Sequence, residues 1–232
     1  PEFNLSPGKL DNECDLADRL TPALQDQTCR RFNVCTDWLN FGAGPLLHTA
    51  LLDRDIDTWL ALLECQLQID PGLTLIVCRT RDVEIEHDPH QGAALVLRWS
   101  VGEVGREPVY AYQPVFSVCR WSDHAAHFLA IRALLAAYAV GVHLMGATIP
   151  EHRIPPLLEA REWPAVIFRN GTLNSWYPED YVVGPTSGCA KGLAVRNWVL
   201  RECQCDGSLP QIREAQARIG SDRRSDILES AL

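Results

Sequence analysis

The strongest pattern along the chain is a switch in hydrophobic spacing near residue 70. Before it, apolar residues recur every three or four positions, the spacing of helices. Asp11 to Leu24 has Asp and Glu in its first turn, and Thr28 to Trp38 offers a second short helical stretch. From Pro45 to about Gln68, Leu46, Leu47, Ala50, Leu51, Trp59, Leu60, Leu62, Leu63 and Leu67 make one broad apolar face. Asp53, Arg54, Asp55 and Asp57 are left toward water, and Pro45 suits a first helical position, so the spacing predicts one long helix.

After the turn Asp70-Pro71-Gly72 the period changes. Leu73 to Glu86 is rich in β-branched residues and alternates around Val83 to Glu86, which predicts a strand. His87 to Gly92 is polar and predicts a hairpin loop leading to a second strand, Ala93 to Val101. Gly102 to Pro108 is a further turn, and Val109 to Arg120 a third strand whose Pro114 marks a bulge or an edge. Three strands in this order predict an antiparallel meander.

Ser122 or Asp123 can cap the next helix, His124 to Val140, which is apolar nearly all round and therefore expected at the centre of the fold. A short strand (Val142 to Ala147), a Pro-rich helical piece (Glu151 to Ala160) and a hairpin follow. The hairpin pairs Ala165 to Phe168 with Thr172 to Tyr177 across Asn170-Gly171. Lys191 to Glu202 predicts a last helix, and Ser208 to Leu232 a polar, partly helical tail, read as a partner-binding helix or as a fraying terminus. The expectation is a single α+β / α/β domain over 4–207, with a sub-boundary allowed near 102–108. A helical N-terminal part packs on a mixed sheet built of the meander and the C-terminal hairpin. Pro1-Glu2-Phe3 reads as a vector remnant ahead of a segment of a longer protein.

Composition narrows the functional classes. A net charge of −9 with no basic stripe opposes nucleic-acid binding. No apolar run reaches the roughly 18 residues of a membrane span, since Phe128 to Met145 is interrupted by Arg132 and His143. The cysteines number nine, an odd count, and several lie in apolar runs such as Leu75-Ile76-Val77-Cys78. They read as small hydrophobes of a reduced intracellular protein, cytoplasmic or nuclear, rather than as a disulfide framework. A P-loop, a dinucleotide-binding glycine loop, Gly-x-Ser-x-Gly, His-Glu-x-x-His and an EF-hand loop are all missing, so no cofactor is expected.

The order strand, helix, strand, helix, hairpin, helix after Pro108 resembles the thioredoxin-like fold. The likeness rests on Val115 to Trp121 with the buried helix that follows, and on Glu162-Trp163-Pro164-Ala165-Val166-Ile167-Phe168-Arg169-Asn170-Gly171. It spans less than half the chain. It implies that Pro164 occupies the family's cis-proline position and that Cys119 sits where that family keeps its reactive thiol. Arg120, Trp121 and Ser122 follow Cys119 with no second cysteine, which excludes Cys-x-x-Cys exchange.

Three functions stay open. Trp163, Trp176, Tyr177 and Tyr181 are candidate partner-binding residues, because Trp and Tyr dominate binding hot spots, and also candidate packing residues. They favour a non-catalytic protein-interaction or scaffolding domain of a larger intracellular protein, whose partner is another protein or the rest of its parent chain. Cys119 with His124 or His127 would suit a thiol-dependent hydrolase or transferase, since a thiol near a helix start and an imidazole is activated. The same residues suit a strand end and a helix entry, the commoner outcome for such a match. Cys189, Cys203 and Cys205 are soft ligands for a zinc-stabilised module, although Cys-x-Cys lacks the usual two-to-four-residue gap. His87-Asp88-Pro89-His90 reads as a solvated loop tip that could also meet a metal.

Overall fold

The computed structural model describes residues 21–52, 55–80, 90, 92–116, 124–183 and 190–219, which hold eight α-helices and a mixed six-stranded sheet. Two helices open it, α1 (Pro22–Phe32) and α2 (Thr36–Phe41). Thr21 caps α1 by accepting from the Leu24 amide, and Asn33, with φ of 59°, ends it in the left-handed region. That stop falls inside the single helix expected over Thr28 to Trp38, and the chain restarts at Thr36. The helix expected from Asp11 lies mainly outside the described residues.

The long helix expected from Pro45 is divided. Residues 45–52 are not helical and include strand β1 (Ala50–Leu51), and helix α3 runs only over Ile56–Ile69. The physical reason is that the apolar residues do not share one destination: Leu46 and Leu47 bury on one face of the sheet, and Trp59, Leu60 and Leu63 on the other. Asp55 sets the true start, its carboxylate accepting from the Asp57 amide at 3.0 Å and the Thr58 hydroxyl at 3.1 Å.

The meander forms in the expected order, but its first strand stops at Arg79, Val83 to Glu86 lies outside the described residues, and the turn expected over Gly102 to Pro108 narrows to Gly105 and Arg106. Strands β2 (Thr74–Arg79), β3 (Ala93–Val104) and β4 (Glu107–Phe116) are successive antiparallel neighbours. The central helix is α4 (His124–Ala139), and it leads to β5 (His143–Thr148), which pairs parallel to the other edge of β2. The sheet order is β1-β4-β3-β2-β5-β6. Pro114 lies at an edge, since β1 covers β4 only at Val115 and Phe116. The bulge falls instead at Val101, opposite the step from Tyr110 to Val109.

The C-terminal hairpin does not form. Pro164–Arg169 is helix α6, following a single 3-10 turn (Glu151–Arg153) and helix α5 (Ile154–Leu158). Pro164 takes the first helical position, and Asn170 has φ of −98°, so Asn170-Gly171 cannot make the left-handed turn of a tight hairpin. Ile167 and Phe168 both bury from this helix, which rewards helical spacing over alternation. Strand β6 (Thr172–Leu173) pairs with the end of β5 instead.

The thioredoxin-like expectation fails with the hairpin: Pro164 leads a helix and not a strand. The strand after the central helix is separated from β4 by β3 and β2. No peptide bond is cis among the described residues.

Two apolar layers enclose the sheet. Leu75, Val77, Leu95, Leu97 and Leu144 pack under α3, α4, α7 (Ala190–Cys205) and α8 (Ser208–Ile219). Ile76, Cys78, Val96 and Tyr112 pack under α1, α5 and α6. Helix α8 is the described part of the polar tail. Leu209, Ile212 and Ala215 make its buried stripe, and Gln211 and Arg218 bond Asp57 and Glu64 of α3 at 2.9 and 2.7 Å.

Gly146 of β5 tests how tightly this is assembled. A Cβ there would stand 2.2 Å from the Trp176 carbonyl oxygen and 2.7 Å from its ring, so backbone has to move. Gly146→Ala is expected to lower unfolding free energy by at least about 2 kcal/mol, read by urea denaturation; an unchanged midpoint would remove Trp176 from this seat.

Candidate functional site

The aromatic residues singled out from the sequence do not share a surface. Trp176 lies in the core beside β5, donating from its indole nitrogen to the Ala147 carbonyl at 3.3 Å and meeting Tyr181 edge-on at 6.1 Å. Tyr181 closes a 3-10 turn (Pro178–Tyr181) and is equally buried. Trp163 packs edge-on against Tyr112 at 5.9 Å, on the opposite face of the sheet. Only Tyr177 stands outside, 72 % exposed.

Trp176 also carries a buried charge. The Arg79 guanidinium lies 5.0 Å from its ring centroid, and its Nε is 3.5 Å from the Thr148 hydroxyl, which is bonded to Ser175 at 2.7 Å. Arg79 and Thr148 end the parallel neighbours β2 and β5, so this group seals the carboxyl ends of the two strands.

Cys119 and Cys189 lie outside the described residues, as do His87, Asp88 and Pro89. His124 begins α4. Half-buried His127 meets Trp198 of α7 edge-on at 6.1 Å, which places it between the two helices. Cys203 and Cys205 fall on α7, where residues two apart point in nearly opposite directions; Cys203 is fully buried and Cys205 exposed. Helical geometry thus separates the two thiols that the sequence brings close. Among the described residues, no three His, Cys, Asp or Glu side chains gather where they could hold a metal ion.

Helix α2 is the feature that sequence reasoning passed over. Its six residues include Trp38, Leu39 and Phe41, yet none of the six is buried, and Phe41 is 77 % exposed. The chain entering the helix is nonetheless tied to the fold. Val34 bridges Leu47, and the Cys35 amide donates to the Leu46 carbonyl at 2.9 Å. At the far end the Gly42 amide donates to the Trp38 carbonyl at 2.8 Å, with Gly42 in the left-handed conformation. The paired backbone before it therefore holds out a short helix that leaves Phe41 largely uncovered and more than a third of Trp38 and Leu39 exposed. The visible signal was Trp-Leu-Asn-Phe between Thr36 and two glycines, too short for a periodic pattern to separate exposed from buried positions.

No known family model, curated protein or solved structure matches this chain.

The thiols offer a direct check on the geometry. Burial pushes Cys203 up from an ordinary 9.0 to about 11, and raises Cys78 as well. Of the described cysteines, Cys65 and Cys205 are expected to react with maleimide in the native protein, and Cys78 and Cys203 only after unfolding, read by mass spectrometry. The folded state keeps the Cys203 proton that the unfolded chain releases first. Its contribution to stability is therefore complete below pH 9.0 and lost as pH rises toward about 11. Denaturation series should show a shallower alkaline loss for Cys203→Ala than for the parent; equal slopes would contradict the burial of this thiol.

Proposed function

We propose that this chain is a non-catalytic protein-interaction domain of a larger intracellular protein, and that it docks its partner through α2. The observation that carries the reading is that helix, which exposes Phe41 almost fully and Trp38 and Leu39 in part while the chain leading into it is tied to the fold through Val34 and Cys35. Aromatic and aliphatic residues held on an ordered scaffold lose little conformational freedom on binding, so their burial goes largely into affinity. Asp37 gives the same helix one acidic rim position. The matching surface on the partner, whether another protein or the rest of the parent chain, is an apolar pocket with a basic edge.

A reducing compartment agrees with the six described cysteines, all of which are free thiols despite several lying in the core. No helix among the described residues is long and apolar enough to cross a membrane.

Phe41→Ser removes mainly exposed apolar surface, so its melting temperature should match the parent within a degree or two, whereas Trp38→Ala, which also removes covered surface, is compared at a temperature where both are folded. A protein captured from native lysate by the parent chain, once purified, should bind either variant at least about tenfold more weakly in calorimetry. Equal affinity for the parent and for Phe41→Ser would overturn the assignment of α2 as the docking surface.

A further inference from the structure

Strand β3 is longer than its neighbour β2, and the surplus creates a second feature away from α2. Register pairs Thr74 with Arg98, so β3 runs on past the start of β2 from Trp99 to Val104. Side chains replace the missing strand. Asp70 accepts from the Ser100 amide at 2.6 Å and from the Gly72 amide at 2.8 Å, and Arg31 donates through Nε, at 2.9 Å, and Nη2 to the carbonyl of the bulged Val101. A cleft of about 770 Å³ remains between α1, the last turn of α3 and this part of β3, a volume typical of small-molecule sites.

We infer that this cleft is a binding site for a small organic oxyanion, a carboxylate or phosphate ester, that also carries a hydrogen-bond donor. Its described lining brings Arg30 and Arg31 together with Gln27, Gln66 and Ser100 and contains no carboxylate, in a chain whose net charge is −9. Arg31 is held in place by Val101. Arg30 is exposed and, among the described residues, bonds only the Asp26 carbonyl, at 3.3 Å, and has no carboxylate partner, so its planar fork can turn to a ligand oxyanion.

Both Asp70 oxygens are engaged by backbone amides, and Asp26 borders a neighbouring hollow of about 410 Å³ that Arg30 and Asn33 also line. The demand for a donor comes from Gln66, which lines the cleft and whose buried Oε1 has no hydrogen-bond partner, a costly state that a turn of the amide toward a ligand hydroxyl or amine would relieve. Trp99 supplies an apolar wall for the carbon skeleton.

Calorimetric titration of the full chain with glycerol 3-phosphate and with malate, at an ionic strength matched with sodium chloride, tests the site. Saturable binding of at least one is expected: the phosphate ester alone, malate alone or both would each support the inference and name the oxyanion. Arg30→Ala should weaken that binding at least about tenfold with an unchanged melting temperature, because a charge-assisted bond at an exposed side chain is lost. Gln66→Leu should weaken it too, while leaving the melting temperature equal or higher. Failure of both probes to saturate by about 10 mM, or binding by Arg30→Ala as tight as the parent's, would overturn the inference.

Discussion

Strand β2 has all six residues buried, with Ile76 and Cys78 turned to one apolar layer and Leu75 and Val77 to the other. A strand in that position can leave neither a side chain nor a backbone amide to water, so both edges must pair and both faces must be covered. Strand β3 supplies one edge antiparallel and β5 the other parallel, and the helices divide into two layers to cover the faces. The division of Leu46 and Leu47 from Trp59 and Leu63 follows from the same requirement, because each layer needs its own apolar residues from the N-terminal half.

Coverage is uneven at the margins, and the candidate surfaces lie there. Where β3 outruns β2, Asp70 and Arg31 take over the hydrogen bonds that a longer β2 would have made, and the space beside them stays open. Helix α2 sits beyond the reach of either layer, so its aromatic residues are presented and not buried. The carboxyl ends of β2 and β5 are finished differently: Trp176 lies against Gly146 and Arg79 against Trp176, which closes the end of the parallel pair. Trp176 is therefore a structural residue despite being a type that is common at interfaces.

Much of the fold was legible where a pattern was long or strongly apolar. The meander, the central helix from His124 and the following strand were read correctly, because continuous apolar runs and all-round apolar helices leave few alternatives. The hairpin across Asn170-Gly171 was misread because Ala165 to Phe168 is too short for periodicity to separate strand from helix, and Pro164 favours a helix start as readily as a strand edge. The long helix from Pro45 was misread for a different reason: helical spacing was present, but the residues supplying it belong to opposite layers. Of the candidate surfaces, neither α2 nor the arginine-lined cleft was foreseen. Exposure of Phe41 and the gathering of Arg30, Arg31 and Gln66 depend on what packs nearby, and that information is not local in sequence.

Sequence by itself determined the fold class, the switch from helices to strands near residue 70 and the apolar character of β2 and α4, since burial preference is carried residue by residue. Tertiary structure alone decided which layer each apolar residue enters, which strand pairs with β2 on its free edge and which aromatics remain outside. It also set Cys203 and Cys205 on opposite sides of one helix and put Gln66 in the lining of one cleft with two arginines. Those outcomes rest on contacts between residues far apart in the chain, where hydrogen-bond and packing demands are met jointly and no single segment contains the answer.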